Sequence, residues 1–173
     1  MKVFKNRDIG LLVMSMAVAA ITFSECVGQP GAVTLTELNG TWRGSGTDRA
    51  SPLENSQQSN CRATIRADQA TLNYEMVCDG QSGLHKAVQM NVIVRRNNIS
   101  GTLTQLSNAA PTKLSGTVSG TRTGRTATIQ VQFPGLMPTV TVELQLNSHS
   151  SYLMRATTFA GTLMDIRFTR SGR

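Results

Sequence analysis

A strict alternation of apolar and polar residues is the feature that most constrains what this chain can fold into. Apolar side chains occupy every second position in residues 88–95, 126–133 and 139–146. A period of two places one face of an extended chain in a core and the other in water, which is the pattern of a half-buried β-strand. No segment after residue 28 shows a convincing helical period of 3.6, and at most a short helix is expected near residues 30–38 or 48–58. The alternation therefore predicts an all-β domain.

Ten segments fit this pattern, and they are joined by short links that contain turn residues, such as 121–124 and 134–138. Short links imply that strands adjacent in sequence also pair, which gives an antiparallel meander. The predicted strands span residues 40–47, 60–67, 70–78, 86–96, 98–106, 112–121, 125–133, 138–147, 151–159 and 161–170.

Glycines recur inside these strands, most often in a Gly-Thr pair, as at 101–102 and 116–117. Glycine weakens a strand unless the backbone must bend sharply or approach another strand closely, and barrels need such bends. We therefore expect a closed up-and-down β-barrel of eight to ten strands, with a two-sheet β-sandwich as the alternative.

The pairing of two hairpins follows from the alternation. With a turn near residues 68–71, residue 67 pairs with 72, and Cys61 then lies directly opposite Cys78. Cross-strand Cα atoms lie about 4.5–5.5 Å apart, within the range of a disulfide. We expect this bond, which is worth about 3 kcal/mol on the chain-entropy model. In a second hairpin, the same reasoning pairs Val118 with Ile129 and Gly116 with Val131.

The start of the first predicted strand, Gly40-Thr41-Trp42, resembles the Gly-x-Trp opening of the calycin barrels, the lipocalins and avidins. The avidin group implies several tryptophans around a biotin pocket, and Trp42 is the single tryptophan of this chain. The lipocalin group implies further motifs that the sequence lacks. The resemblance implies a barrel with Trp42 closing one end.

The N-terminus has the three parts of a secretory signal: Lys2, Lys5 and Arg7, an apolar run over residues 9–21, and small residues after it. The run is shorter than the roughly 20 residues of a spanning helix. We expect a signal peptide over 1–28, an extended leader over 29–39, and a β domain over 40–173. The protein would then be periplasmic or secreted, without an integral membrane span in the mature chain. Lipid attachment at Cys26 is the alternative.

The net charge of +7 is carried mainly by arginines, and the predicted signal accounts for little of it. Arginine binds carboxylates and phosphates through two parallel hydrogen bonds. A protein or an anionic envelope component is therefore an expected class of partner. The arginines are dispersed along the sequence, so the alternative that they serve solubility stays open. Nucleic acid is not expected, because we expect the protein to be exported and aromatic residues make up only 5% of it.

Residues 79–85 contain Asp79, Ser82 and His85, but a catalytic triad rarely forms from three residues of one loop. No His, Cys or acidic spacing matches a metal site. We therefore expect no catalysis, no metal and no cofactor.

The predicted inward face carries residues that suit a ligand cavity: Trp42, Tyr74, Met76, Met90 and Met164. Methionine fills irregular gaps and adapts to varied ligands, and an eight-stranded barrel is wide enough to hold a small one. A solid core fits the same residues. The sequence thus favours a non-catalytic binding or interaction module of the cell envelope. The alternatives are a carrier of a small apolar ligand, a periplasmic protease-inhibitor-like barrel, and a small outer-membrane barrel.

Overall fold

The computed structural model describes residues 34–135 and 137–172, so the predicted signal peptide, Cys26 and the first part of the leader lie outside the described residues. One 3-10 helix, Leu35–Leu38, precedes ten strands. The strands are β1 (Gly40–Asp48), β2 (Gln57–Ala67), β3 (Thr71–Gly80), β4 (His85–Arg95), β5 (Asn98–Ser107), β6 (Ala110–Thr123), β7 (Thr126–Gln132), β8 (Val140–Ser148), β9 (Ser151–Thr158) and β10 (Gly161–Arg170).

Each strand pairs antiparallel with its neighbours in sequence, and β1 also pairs with β10. The sheet is thereby a closed up-and-down barrel, which confirms the predicted fold class and excludes the two-sheet sandwich. Closure leaves no unpaired strand edge. No helix in the described ranges is long and apolar enough to span a bilayer.

The connections fall alternately at the two ends of the barrel, because successive strands run in opposite directions. The turn end carries the 3-10 helix and the short connections 68–70, 96–97, 124–125 and 149–150. The loop end carries the connections 49–56, 81–84, 108–109, 133–139 and 159–160.

The disulfide between Cys61 and Cys78 is present, with the two Cα atoms 4.1 Å apart. The predicted register of this hairpin is also confirmed, because Cys61 pairs with Cys78 and Ile65 pairs with Tyr74. Strand β2 begins at Gln57, earlier than predicted, and extends the pairing with β1 to Asp48. Polar residues at 57–60 hide this part of the strand from an apolar pattern.

The predicted register of the β6–β7 hairpin is wrong by two residues. Val118 pairs with Val131 and Gly120 pairs with Ile129, rather than Val118 with Ile129. Gly124, with φ of 57°, permits a two-residue turn with Thr123 opposite Thr126. A shift of two residues leaves the same side chains facing inward, so the alternation alone does not distinguish the two registers.

Two strand glycines stand where another strand approaches closely. A Cβ atom at Gly46 would lie 2.1 Å from the Asp165 carbonyl oxygen, and one at Gly101 would lie 2.1 Å from that of Asn91. No real side chain tolerates such a contact. The glycines therefore permit the tight coiling of the closed sheet, as their recurrence in the sequence suggested.

The 3-10 helix lies within the predicted leader, 29–39, and covers the turn end. Leu35 is buried, and the indole N–H of Trp42, itself fully buried, donates to the Leu38 carbonyl at 3.1 Å. The guanidinium of Arg170 lies 4.7 Å from the Trp42 ring centroid and donates to the Glu37 carbonyl. The helix forms here because its leucines gain burial against the open end of the barrel, a contact that an isolated leader lacks.

Candidate functional site

The barrel interior contains two cavities, one towards each end, of about 90 and about 100 Å³. Tyr74, Met90 and Leu144 line both of them, and so form a belt across the middle of the barrel. A single water molecule requires a cavity volume of roughly 10–15 Å³. Each cavity is therefore large enough for several heavy atoms of a ligand.

The cavity towards the loop end, here the methionine cavity, has four methionines in its wall: Met76, Met90, Met154 and Met164. Aliphatic side chains and Phe133 complete most of the lining, and Lys86 and Gln105 supply polar groups. Thioether side chains are flexible and polarisable, so this wall can adjust to apolar ligands of different shape.

A buried ion pair borders the methionine cavity. Lys86 Nζ lies 2.6 Å from Asp48 Oδ1, and the two side chains are only 8% and 1% exposed. The same ammonium donates to the Arg49 carbonyl at 3.2 Å, and the Arg49 N–H donates to Asp48 Oδ1 at 2.8 Å. These bonds hold the beginning of loop 49–56 against the end of the barrel.

The sequence pattern did not predict this pair, although it contains one signal for it. Lys86 lies on the same inward-facing side of β4 as Val88 and Met90, and a cation on that side requires a buried partner. The partner was not evident, because Asp48 lies at the edge of a polar segment and meets Lys86 only when the barrel closes.

Two tyrosine hydroxyls meet in the middle of the barrel. The Tyr74 hydroxyl lies 3.3 Å from that of Tyr152 and also 3.3 Å from Met76 Sδ. Burial raises the pKa of both phenols, and the proximity of Tyr74 raises the pKa of Tyr152 further. Both groups are therefore neutral at physiological pH and offer hydroxyls, rather than a charge, to the interior.

The cavity towards the turn end, here the turn-end cavity, has an almost wholly apolar wall. Its deeper part is lined by Ile65, Leu72, Val92, Ile129, Leu146 and Tyr152, among others. Leu35 and Leu38 of the 3-10 helix line one side of its outer part. The remaining wall comes from the β6–β7 turn, where Arg122, Gly124, Arg125 and Thr126 stand at its edge.

The barrel gathers at the turn end arginines that are dispersed in the sequence. These six residues, here the arginine rim, are Arg66, Arg95, Arg96, Arg122, Arg125 and Arg170. They come together because every second connection of an up-and-down barrel lies at the same end. The sequence signal for this rim is the recurrence of arginines at every second predicted turn.

The carboxylates at the turn end are already engaged elsewhere. Asp68 accepts from the N–H groups of Ala70 and Thr71 and from the Thr71 hydroxyl. These hydrogen bonds, that from Ala70 foremost, lower the pKa of Asp68. Glu37 accepts from the Thr34 hydroxyl and lies 3.2 Å from a ring nitrogen of His149. The rim therefore keeps an excess of positive charge.

The residues that the sequence suggested for a ligand cavity occupy three different places. Tyr74 and Met90 line both cavities, while Met76 and Met164 line the methionine cavity. Trp42 is absent from the lining of both and packs beneath the 3-10 helix, edge-on to Tyr152 at a centroid distance of 5.0 Å.

The loop that contains Asp79, Ser82 and His85 does not assemble a triad. His85 Nδ1 lies 2.8 Å from Asp79 Oδ1, but no hydrogen bond joins Ser82 to His85. Both members of the pair are exposed. Across residues 34–135 and 137–172, no group of three or more His, Cys, Asp or Glu side chains is placed to hold a metal ion.

Comparison with known proteins relates this chain to others through its fold. No protein-family model matches it, and no curated protein matches it in sequence. Among solved structures, the crystal structure of Rv2717c from M. tuberculosis superposes with a TM-score of 0.56. The match covers 80% of this chain and 95% of that one at 14% sequence identity. At this identity the two chains share a barrel architecture, and the likeness carries no information on ligand or activity.

Proposed function

We propose that this protein is an exported, non-catalytic binding module that carries a small apolar ligand inside its barrel. The observation that carries the proposal is the pair of interior cavities on either side of the belt formed by Tyr74, Met90 and Leu144. Small-molecule sites are typically enclosed, mostly apolar and supplied with a few placed polar groups. The tyrosine hydroxyls and Lys86 are such groups in this interior.

Packing considerations support a ligand over a solid core. Protein interiors are normally filled to crystal-like density, and voids larger than a water are few. Two spaces of about 90 and 100 Å³, each partly open towards its end of the barrel, remain unfilled by side chains. Met90 lines both spaces, and its flexible thioether side chain can adapt to a ligand in either of them.

The proposal of export rests on the signal-like N-terminus and on the disulfide between Cys61 and Cys78. Disulfides persist in oxidising compartments such as the periplasm and the extracellular space. An apolar ligand in such a compartment is poorly soluble in the surrounding water. A closed barrel that removes the ligand from water would serve as its carrier.

Binding of a neutral apolar dye, N-phenyl-1-naphthylamine, tests the proposal. The wild type is expected to bind the dye. Met90→Trp fills space between the cavities and should abolish binding while the barrel still folds, as judged by circular dichroism and thermal melting. Val77→Trp is the matched control, because Val77 lies on the outer face of β3 and is 39% exposed.

A solid interior would give the opposite result. In that case the wild type would not bind the dye, and Met90→Trp would overfill the core at a cost of roughly 1–3 kcal/mol. That combination would refute the carrier function. Native mass spectrometry of the protein from its own envelope would identify a retained ligand directly.

A further inference from the structure

The turn-end cavity and the arginine rim adjoin each other at the β6–β7 turn. Arg122 and Arg125 stand at the edge of a chamber whose deeper wall is almost wholly apolar. We infer that this end of the barrel binds an anionic amphiphile, with its alkyl chain in the turn-end cavity and its acidic headgroup on the rim at Arg125. This inference rests on the proposed carrier function and specifies its ligand class.

Backbone hydrogen bonds make the rim continuous around this side of the barrel. The N–H of Val94 donates to the Ala70 carbonyl at 2.7 Å, and that of Arg122 donates to the Asn97 carbonyl at 2.7 Å. The N–H of Leu146 donates to the Arg125 carbonyl at 2.9 Å. Consecutive turns are thereby held side by side, and the arginines next to them raise the positive potential around one opening.

The headgroup position follows from which rim arginines are engaged. Arg170 is used structurally, on Trp42 and the Glu37 carbonyl. Arg125 is exposed, belongs to the cavity edge and forms no ion pair with a carboxylate of the described residues. Its planar guanidinium fits a carboxylate or phosphate through two parallel hydrogen bonds.

The opposite cavity is a poorer place for an acid. Its cation, Lys86, already lies 2.6 Å from Asp48 in a buried pair. A ligand carboxylate there would place a second negative charge beside Asp48 and would have to lose its hydration in a buried setting. At the turn end the headgroup keeps much of its contact with water, and only the alkyl chain is buried.

Isothermal titration calorimetry with octanoate and octanol, which share a chain and differ in charge, tests the inference. The wild type is expected to bind octanoate more tightly, and added salt should weaken octanoate binding only. Arg125→Gln should weaken octanoate binding about three- to tenfold and leave octanol unchanged. Arg167→Gln, the same charge change on the exposed outer face of β10, is the control and should change neither.

Two cavity variants show which cavity holds the alkyl chain of octanoate. Val94 lines only the turn-end cavity of the two, so Val94→Phe should abolish octanoate binding, whereas Met164→Trp, in the other cavity, should not. The reverse result would overturn the inference, as would equal binding of octanoate and octanol with no effect of Arg125→Gln. Acetate that bound as tightly as octanoate would also overturn it, because the rim would then be an anion site independent of the cavity. If neither octanoate nor octanol bound, the proposed carrier function itself would fail.

Discussion

Replacing Lys86 by methionine is expected to destabilise the barrel strongly. The substitution keeps the length and most of the volume of the side chain but removes its charge. Asp48 would then retain one hydrogen bond to Oδ1, from the Arg49 N–H. Its other oxygen, Oδ2, is buried and has no hydrogen-bond partner even in the wild type. The variant would therefore leave a nearly uncompensated carboxylate in a position that is 1% exposed.

The size of the effect follows from this burial. Removing one partner of a buried ion pair typically costs about 3–5 kcal/mol, far more than an exposed pair contributes. For a domain of this size, 1 kcal/mol corresponds to about 2–4 °C in Tm, so the expected decrease is about 6–20 °C. The double variant Asp48→Leu/Lys86→Met removes both charges. Its free energy of unfolding should lie within about 1 kcal/mol of the wild-type value, or above it.

Urea unfolding at constant pH, followed by circular dichroism, measures these differences. Lys113→Met is the control, because Lys113 is an exposed lysine on β6 and its replacement should change the unfolding free energy by at most about 0.5 kcal/mol. The reasoning would be refuted if Lys86→Met unfolded like the wild type, or if the double variant were no more stable than the single one.

Three further predictions concern the disulfide, the strand glycines and the tyrosines. The oxidised protein should show no free thiol from Cys61 or Cys78, and Cys61→Ala/Cys78→Ala should lose about 3 kcal/mol in urea unfolding; full thiol labelling without denaturant would contradict this. Gly101→Ala should lose at least about 1–3 kcal/mol because its Cβ would meet the Asn91 carbonyl, whereas Gly172→Ala, in open space, should melt like the wild type. Tyr74 and Tyr152 are the two tyrosines of the chain, and their raised pKa values mean that the folded state keeps its phenol protons above the ordinary value of 10.0. The stability that depends on the protonated phenols is complete below that pH and falls as the pH rises through the pKa values of the folded state. Absorbance at 295 nm should therefore show phenolate appearing together with unfolding. Titration of either tyrosine near pH 10 in the intact barrel would contradict this prediction.

Local pattern was sufficient for most of the fold. The all-β class, ten strands in order and the opposition of Cys61 and Cys78 all follow from a period of two interrupted by turn residues. These properties depend on residues close together in the sequence. Each hairpin is specified by its own alternation and its own turn, and a meander of hairpins requires no long-range information to order its strands.

Two kinds of contact could be determined only from the tertiary structure. The first kind keeps the same inward-facing side chains after a register shift of two residues, and the second forms only when the barrel closes. The β6–β7 register belongs to the first kind, since Val118 faces inward whether it meets Ile129 or Val131. The Lys86–Asp48 pair belongs to the second, because β1 and β4 are not adjacent strands and meet only across the closed interior.

The candidate site combines both kinds of information. Alternation predicted the inward positions of Tyr74, Met76, Met90 and Met164, but not whether the space between them is filled. The arginine rim was dispersed in the sequence and exists because alternate turns share one end of the barrel. Cavity volume and the grouping of charges depend on how all ten strands coil around one axis. A pattern confined to single strands does not specify that coiling.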